Sequence, residues 1–368
     1  MVKYTRNLLL LSKIFPYFTR GSKIKNRYGL LNSILFSNKY DLKFKNGIEY
    51  TCLDSKTLFE LLAVEKYAVI FKRDKNKVII SFDGLNKFSF SIGSLNQEDK
   101  RLISLFCHGI RDGAYFLDKD HNSSIQDERI IKIMQAERSI IQTYEGIRFY
   151  LDSIGADSIV EIFVRRIHRS YSNDLQNKIV VDAGAFIGDT PLYFASMGAT
   201  VYAFELTKTN YEQMLQNLEL NKQLITKIIP IHTGIGKDGI IEYAESTSDD
   251  YSGGASFIIN KYGKNSTKEK VEGMTIRSVV EKYNISSIDL LKLDCKGCEY
   301  LVTEDDLKKV HKIKIEYYSY LQGQKLENLI GFLKKTGFDS IVYKHNPIDI
   351  GSFGDRGYIL AIKQQTLE

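Results

Sequence analysis

From residue 178 onward, short apolar runs alternate with stretches of helical period. The runs are KIVVDAG, TVYAFE, KIIPIHTG, SIDLLKLD, KIKIEYY, SIVYKH and GYILAIK. Between most of them lie PLYFASMG, NYEQMLQNLELN, IRSVVEKY and KLENLIGFLKKTG. Runs without polar alternation suit strands buried on both faces, and their alternation with helices predicts a parallel, doubly wound α/β sheet. The upstream pattern is different. Asn46-Gly47 between DLKFK and IEYTC predicts a hairpin, and KVIISF and FSFSI read as neighbouring strands around Asp83-Gly84. TLFELLAVEKYAVIF reads as a helix or a helix followed by a strand, and a helical period is read from DERIIKIMQAERSIIQ. GIRFYLD and a helix through SIVEIFVRRI then lead into the alternating part. The expected organisation is a smaller mixed α/β region over residues 1–130, followed by an α/β domain over residues 131–368.

Composition narrows the class. A chain of 368 residues with 43% hydrophobic residues and only 4 Pro can bury a sizeable core and is not a low-complexity chain. Its net charge of +6 is modest, and the densest basic clusters (Arg20, Lys23, Lys25, Arg27; Lys72, Arg73, Lys75, Lys77) read as solvated turns. Nucleic acid is therefore not the expected partner. No stretch has the roughly 20 apolar residues of a membrane span. NLLLLSKIFPYF, broken by Lys13 and Pro16, reads as a docking helix, so a cytoplasmic protein is expected and peripheral membrane contact has no second signal. The four cysteines are too few for a secreted disulfide framework. Cys295 and Cys298 form a lone CxxC without a second pair or a matching histidine pattern, so no metal site is expected. The expectation is two small side chains packed where a strand leaves the sheet, with a redox pair or a structural disulfide as alternatives.

The candidate chemistry lies in VVDAGAFIGDT. Gly184 and Gly188 let the backbone turn tightly and approach a ligand, and Thr190-Pro191 reads as an N-cap and first-turn pair. Glu205 closes the next strand, 21 residues beyond Gly184, where an acid accepts hydrogen bonds from ribose hydroxyls. The turn lacks one glycine of the dinucleotide fingerprint, and Asp182 and Asp189 would repel a pyrophosphate. They would suit a nucleoside cofactor carrying an amine and a sulfonium, which S-adenosylmethionine is. A nicotinamide-dependent oxidoreductase fails on the missing glycine.

A second element, SIDLLKLDCKGCEY, puts Asp294 at a strand end, with Lys292 before it and Gly297 and Glu299 after it. Together, VVDAGAFIGDTPLYFASMGATVYAFE, NYEQMLQNLELN, DLLKLDCKGCEY and KIKIEYY resemble the FkbM family of S-adenosylmethionine-dependent methyltransferases over roughly residues 140–362. The resemblance implies a Rossmann-like sheet of seven strands whose last strand runs antiparallel. It implies cofactor contacts at Asp182, Gly184, Ala185, Phe186, Ile187, Gly188, Asp189, Thr190, Glu205, Leu206 and Asp294. Asp294, Glu299 and Glu316 are the candidate catalytic groups. Lys296 stands where the family usually has an acid, and Leu206 where it usually has proline. The acceptor class implied is a hydroxyl of a sugar, glycan or other small molecule. The alternatives are a nucleic-acid methyltransferase and a non-catalytic scaffold with the same fold. No Asn/Asp-Pro-Pro-aromatic loop or aromatic-interleaved basic stripe supports the first alternative, and Lys296 motivates the second.

Overall fold

The computed structural model describes residues 17, 23–36, 39–118, 127–134, 139–169, 175–246, 266–318, 325–344 and 356–364. The docking helix expected within residues 7–18 lies outside them apart from Tyr17. The chain divides into two units, Met1–Ile167 and His168–Glu368.

In the first unit the Asn46-Gly47 turn, with Gly47 at φ 82°, closes the antiparallel pair Tyr40–Lys43 and Glu49–Cys52. Asp54 caps the helix Ser55–Tyr67 by accepting from the backbone of Thr57, and strand Ile70–Asp74 follows at once. That strand, Lys77–Ser81 and Phe88–Ser91 form an antiparallel three-stranded sheet. A capping box of Asn96 and Asp99 starts the helix Gln97–Arg111. Phe106 of this helix packs edge-on against Phe82 and Phe116 and meets Phe88 at 5.0 Å. A four-stranded sheet follows: Tyr115–Asp118, Ile130–Met134, Ile140–Thr143 and Arg148–Tyr150. The helix read through DERIIKIMQAERSIIQ is thus corrected to two strands. Ile131, Ile133 and Ile141 are buried at the alternate spacing of a sheet, and they also fit a helical period. The boundary expected after residue 130 falls inside this sheet, at the first residue of its second strand.

The second unit carries a seven-stranded sheet of β1 (Ile179–Ala183), β2 (Thr200–Glu205), β3 (Ile228–His232), β4 (Leu290–Leu293), β5 (Lys312–Tyr318), β6 (Phe338–Lys344) and β7 (Arg356–Lys363), beside a three-stranded sheet of Gly234–Ile235, Gly239–Ser246 and Ser266–Met274. Their spatial order is β3-β2-β1-β4-β5-β7-β6. Pairing is parallel from β3 through β5, and β7 is antiparallel to both of its neighbours. This is the doubly wound sheet expected from the alternation, with its last strand reversed. Among the described residues its longer helices are α1 (Asp189–Ser196), α2 (Lys208–Leu220), α3 (Ile276–Lys282) and α4 (Leu326–Lys335). Val181, Leu291, Leu293, Ile313, Ile315 and Ile359 belong to one continuous core, which also takes in α3 and α4. The strand order reverses between β1 and β4, so a crevice opens at the carboxyl ends of those strands. No described helix is long and apolar enough to cross a membrane.

Candidate active site

The turn after β1 is held by the backbone of β2. Gly184 and Ala185 both donate to the Phe204 carbonyl, at 3.0 and 2.9 Å. Gly184 has φ 87°, and a Cβ there would run into the carbonyl oxygen of Asp294. The cofactor-type turn and the loop after β4 are therefore pressed together, and only glycine fits between them. The helix start differs from the sequence reading. Gly188, at φ 86°, occupies the N-cap of α1, and Thr190 lies inside the helix. The Thr190 hydroxyl donates instead to Asp182, and its N–H donates to Asp189 Oδ1 at 2.8 Å. Ile187 is buried, and its carbonyl accepts from Asn217 of α2 at 3.0 Å.

Asp182 is fully buried in β1, and its Oδ1 accepts from Lys292 Nζ of β4 at 2.8 Å. The register pairs these two residues side by side. Lys292 also donates to the Gly184 carbonyl at 3.1 Å and lies 3.9 Å from Asp294. Burial alone would lower the Lys292 ammonium, but Asp182, Asp294 and Asp189 override it and hold its pKa above the usual lysine value. Asp182 is thus committed to the turn's internal scaffold, and Lys292 pairs chiefly with it rather than with Asp294.

Glu205 ends β2 and is buried, at 5% exposure. Its Oε1 accepts from the Thr207 N–H (3.0 Å), the Thr207 hydroxyl (3.0 Å) and Asn210 Nδ2 (3.2 Å). Its Oε2 accepts from the Phe186 N–H at 2.9 Å. Burial raises the Glu205 pKa against the lowering effect of these donors. Sequence reading found Glu205 but not Thr207 and Asn210, although a Thr three residues before an Asn at a helix start is itself a capping signal. Leu206, in the usual place of a proline, packs against Ile241, Tyr243 and Val271. Beside Glu205, His232 of β3 stacks on Tyr211 with ring centroids 5.1 Å apart.

Asp294 follows β4, its backbone N–H donating to the Ala183 carbonyl at 2.9 Å. Its side chain keeps 32% exposure and hydrogen-bonds to Glu316 of β5. Burial and the neighbouring Glu316 push the Asp294 pKa well above the carboxylate range. Glu299 is buried, with its Oε2 accepting from the Gly297 N–H at 2.7 Å. Through that bond it shapes the loop after β4. Lys296 and Gly297 both have positive φ, 50° and 135°. Cys295 and Cys298 form a disulfide, which replaces the expectation of two separately packed thiols. Cys295 Sγ, Cys298 Sγ and a carboxylate oxygen of Glu299 lie within 4.8 Å of one another, with the two sulfurs bonded to each other. The three residues converge because Gly297 folds the loop back on itself.

Two further buried networks lie outside this crevice. Lys314 of β5, beside Lys292 in register, contacts His168 Nδ1 at 2.9 Å and lies 4.3 Å from the Tyr358 ring centroid. Burial, then Lys314 and Lys292, hold His168 well below its usual pKa, so a neutral imidazole accepts from the ammonium. In the first unit, Ser104 donates to Glu60 at 2.8 Å and His108 bonds Asp157 at 2.6 Å. Burial lowers the His108 pKa, but Asp157 and Glu60 raise it further, to about 9. A protonated imidazole cannot activate Ser104, so this network is not a nucleophile with its base.

Residues 182–340 match the family model described as the Methyltransferase FkbM domain. Among solved structures, a precorrin-6y C5,15-methyltransferase from Geobacter metallireducens aligns at 13% identity and TM-score 0.33, over 55% of this chain and 88% of its own. An rRNA methylase from Streptococcus thermophilus aligns at 17% and 0.34, over 54% and 96%. A magnesium protoporphyrin IX methyltransferase from Synechocystis with bound S-adenosylmethionine aligns at 13% and 0.31, over 56% and 77%. Comparison with curated proteins returns no match.

Proposed function

Residues 182–340 belong to the FkbM methyltransferase family, and on that premise we propose that the protein, an S-adenosylmethionine-dependent methyltransferase, O-methylates a hydroxyl of a sugar, glycan or other small molecule. The observation that carries the choice of oxygen is the hydrogen-bonded acid pair Asp294–Glu316 at the ends of β4 and β5. Two hydrogen-bonded carboxyl groups favour sharing one proton, because ionising both sets like charges against each other. The carboxylate of the pair that does not carry the proton is the group that would take the proton of an incoming hydroxyl, a contribution of about 10²–10⁴-fold in rate.

The turn after β1 fits the cofactor. Among the described residues Glu205 Oε2 accepts from a single donor, which leaves an acceptor position for a ribose hydroxyl. Phe186, at φ 49°, presents its N–H to that same oxygen and fixes the carboxylate. When bound, S-adenosylmethionine supplies a methyl group on a sulfonium, which needs no further activation. The protein's own part is position. Lys292 and Thr190 hold Asp182, and through it the turn, while Gly184 lets the Asp294 loop approach. We assign acceptor recognition to the first unit, Met1–Ile167.

Isothermal titration with S-adenosylhomocysteine tests the cofactor reading. Glu205→Ala should weaken binding by about 1–3 kcal/mol through loss of a charged acceptor, and unchanged affinity would refute the ribose assignment. Mass spectrometry of glycans and small metabolites from cells with and without the gene tests the acceptor. Species differing by one methylene on oxygen are expected, and methylation confined to RNA bases would overturn the reading.

A further inference from the structure

We propose that Cys295 and Cys298 are a thiol–disulfide exchange site for a dithiol reductant, and that the disulfide form holds the Asp294 loop in its cofactor-competent shape. The inference rests on the reading of Asp294 and the turn after β1 as the methyl-transfer site.

Position is the first argument. The bond begins one residue after Asp294 and encloses Lys296 and Gly297, both at positive φ. The Asp294 carbonyl packs where a Gly184 side chain would be, so movement of this loop meets the cofactor turn directly. Ring size is the second argument. A disulfide stabilises a fold mainly by closing a long loop of unfolded chain, and a ring of this size closes very little. Its consequence is therefore local, and what is local to it is Asp294, Glu299 and the turn after β1.

Accessibility gives the chemistry. Cys298 is fully buried and Cys295 is partly exposed. A reductant's thiolate would attack Cys295 Sγ, forming a mixed disulfide and releasing Cys298 as a thiolate. The reductant's second thiolate would then attack its own sulfur in the mixed disulfide and release Cys295. Both released thiolates take up protons. This chain gains two thiols and the reductant one disulfide, a balanced exchange of two electrons. The remaining cysteines do not compete. Cys52 and Cys107 are free thiols of the first unit, and burial pushes each to about 12, so neither supplies a thiolate near neutral pH.

The test uses the full chain without denaturant. Dithiothreitol at graded ratios of reduced to oxidised form is followed by alkylation and peptide mass spectrometry. The expectation is that Cys295 and Cys298 pass together from bonded to alkylated and return on reoxidation. A bond that yields only after denaturation would overturn the proposal. So would zinc retained by the purified protein on Cys295, Cys298 and Glu299, which would make the cluster a metal site. S-adenosylhomocysteine titrated into each redox form should bind the reduced form about fivefold or more weakly, the low end of ordinary coupling between sites. Cys295→Ser should match the reduced form and no longer respond to dithiothreitol. Equal affinity of the two forms refutes the coupling. Binding by neither form refutes the cofactor reading instead and leaves the exchange chemistry judged by alkylation alone.

Discussion

Three ionisable neighbours meet where β1, β4 and the loop after β4 come together: Asp182, Lys292 and Asp294. Asp182 and Lys292 are both almost wholly buried, so each depends on the other for compensation. Lys292→Met should cost about 3–5 kcal/mol in urea unfolding, because it strands a buried carboxylate. Asp182→Asn combined with Lys292→Met should recover part of that loss; a single variant as stable as the parent would show the pair to be dispensable. Asp294 has the opposite character. Its folded-state pKa lies above its unfolded value, so its contribution is fully present below the carboxylate range and is lost as pH rises through the raised value. Asp294→Asn keeps the shape without the charge. Its calorimetric midpoint should gain on the parent's as pH rises above the ordinary carboxylate range, where the unfolded chain ionises and the folded Asp294 does not. A gap that is constant or shrinks would refute this. These three residues also show what the sequence withheld. Asp182 and Lys292 are 110 positions apart, and nothing in either motif says that the acid of one neutralises the lysine of the other. The strand-end position of Asp294 was legible; its partner Glu316 was named, but their pairing depends on β5 lying beside β4.

At the scale of elements, the junction of β2 with α2 joins helix stability to the candidate site. Thr207 is the N-cap of α2, its hydroxyl accepting from Asn210 N–H at 3.3 Å while donating to Glu205 Oε1. Thr207→Ala should destabilise the fold by about 1 kcal/mol through the lost cap and also weaken S-adenosylhomocysteine binding, since Glu205 loses an orienting donor. Thr207→Ser keeps the hydroxyl and should restore both; a serine variant as impaired as alanine would show that the methyl group, not the cap, matters. Elements of this kind were readable where the pattern allowed one period only. β1, β2, β4 and β5 are apolar runs too short for helices, and α2 and α4 have no strand-like alternation. Residues 130–143 were not readable in the same way. Isoleucines at 130, 131, 133, 140 and 141 satisfy both periods, and the choice is made by pairing with Tyr115–Asp118, which lies outside that window. Thr190 is a second such case. It has the composition of an N-cap, but the left-handed Gly188 takes that position, and the hydroxyl is used by Asp182 instead.

For the whole molecule, the question is where the chain can be cut. Every residue assigned here to the cofactor and to proton transfer lies within His168–Glu368. The four-stranded sheet of the first unit runs from Tyr115 to Tyr150 and straddles residue 130. A fragment of residues 168–368 keeps His168 against Lys314, Tyr193 and Phe194, and it leaves no strand of that sheet behind. It should unfold cooperatively and bind S-adenosylhomocysteine within about 0.5 kcal/mol of the full chain, as expected for independent parts. Methyl transfer to the natural acceptor should be lost if the first unit recruits it. A fragment of residues 131–368 retains Ile131, Ile133 and Ile141 on strands deprived of the Tyr115–Asp118 partner. An unpaired edge with an uncovered apolar face promotes association, so this longer fragment should aggregate in light scattering where the shorter one stays monodisperse. If the longer fragment is the well-behaved one and the shorter one unfolds, residues 131–167 belong to the methyltransferase fold rather than to the unit before it.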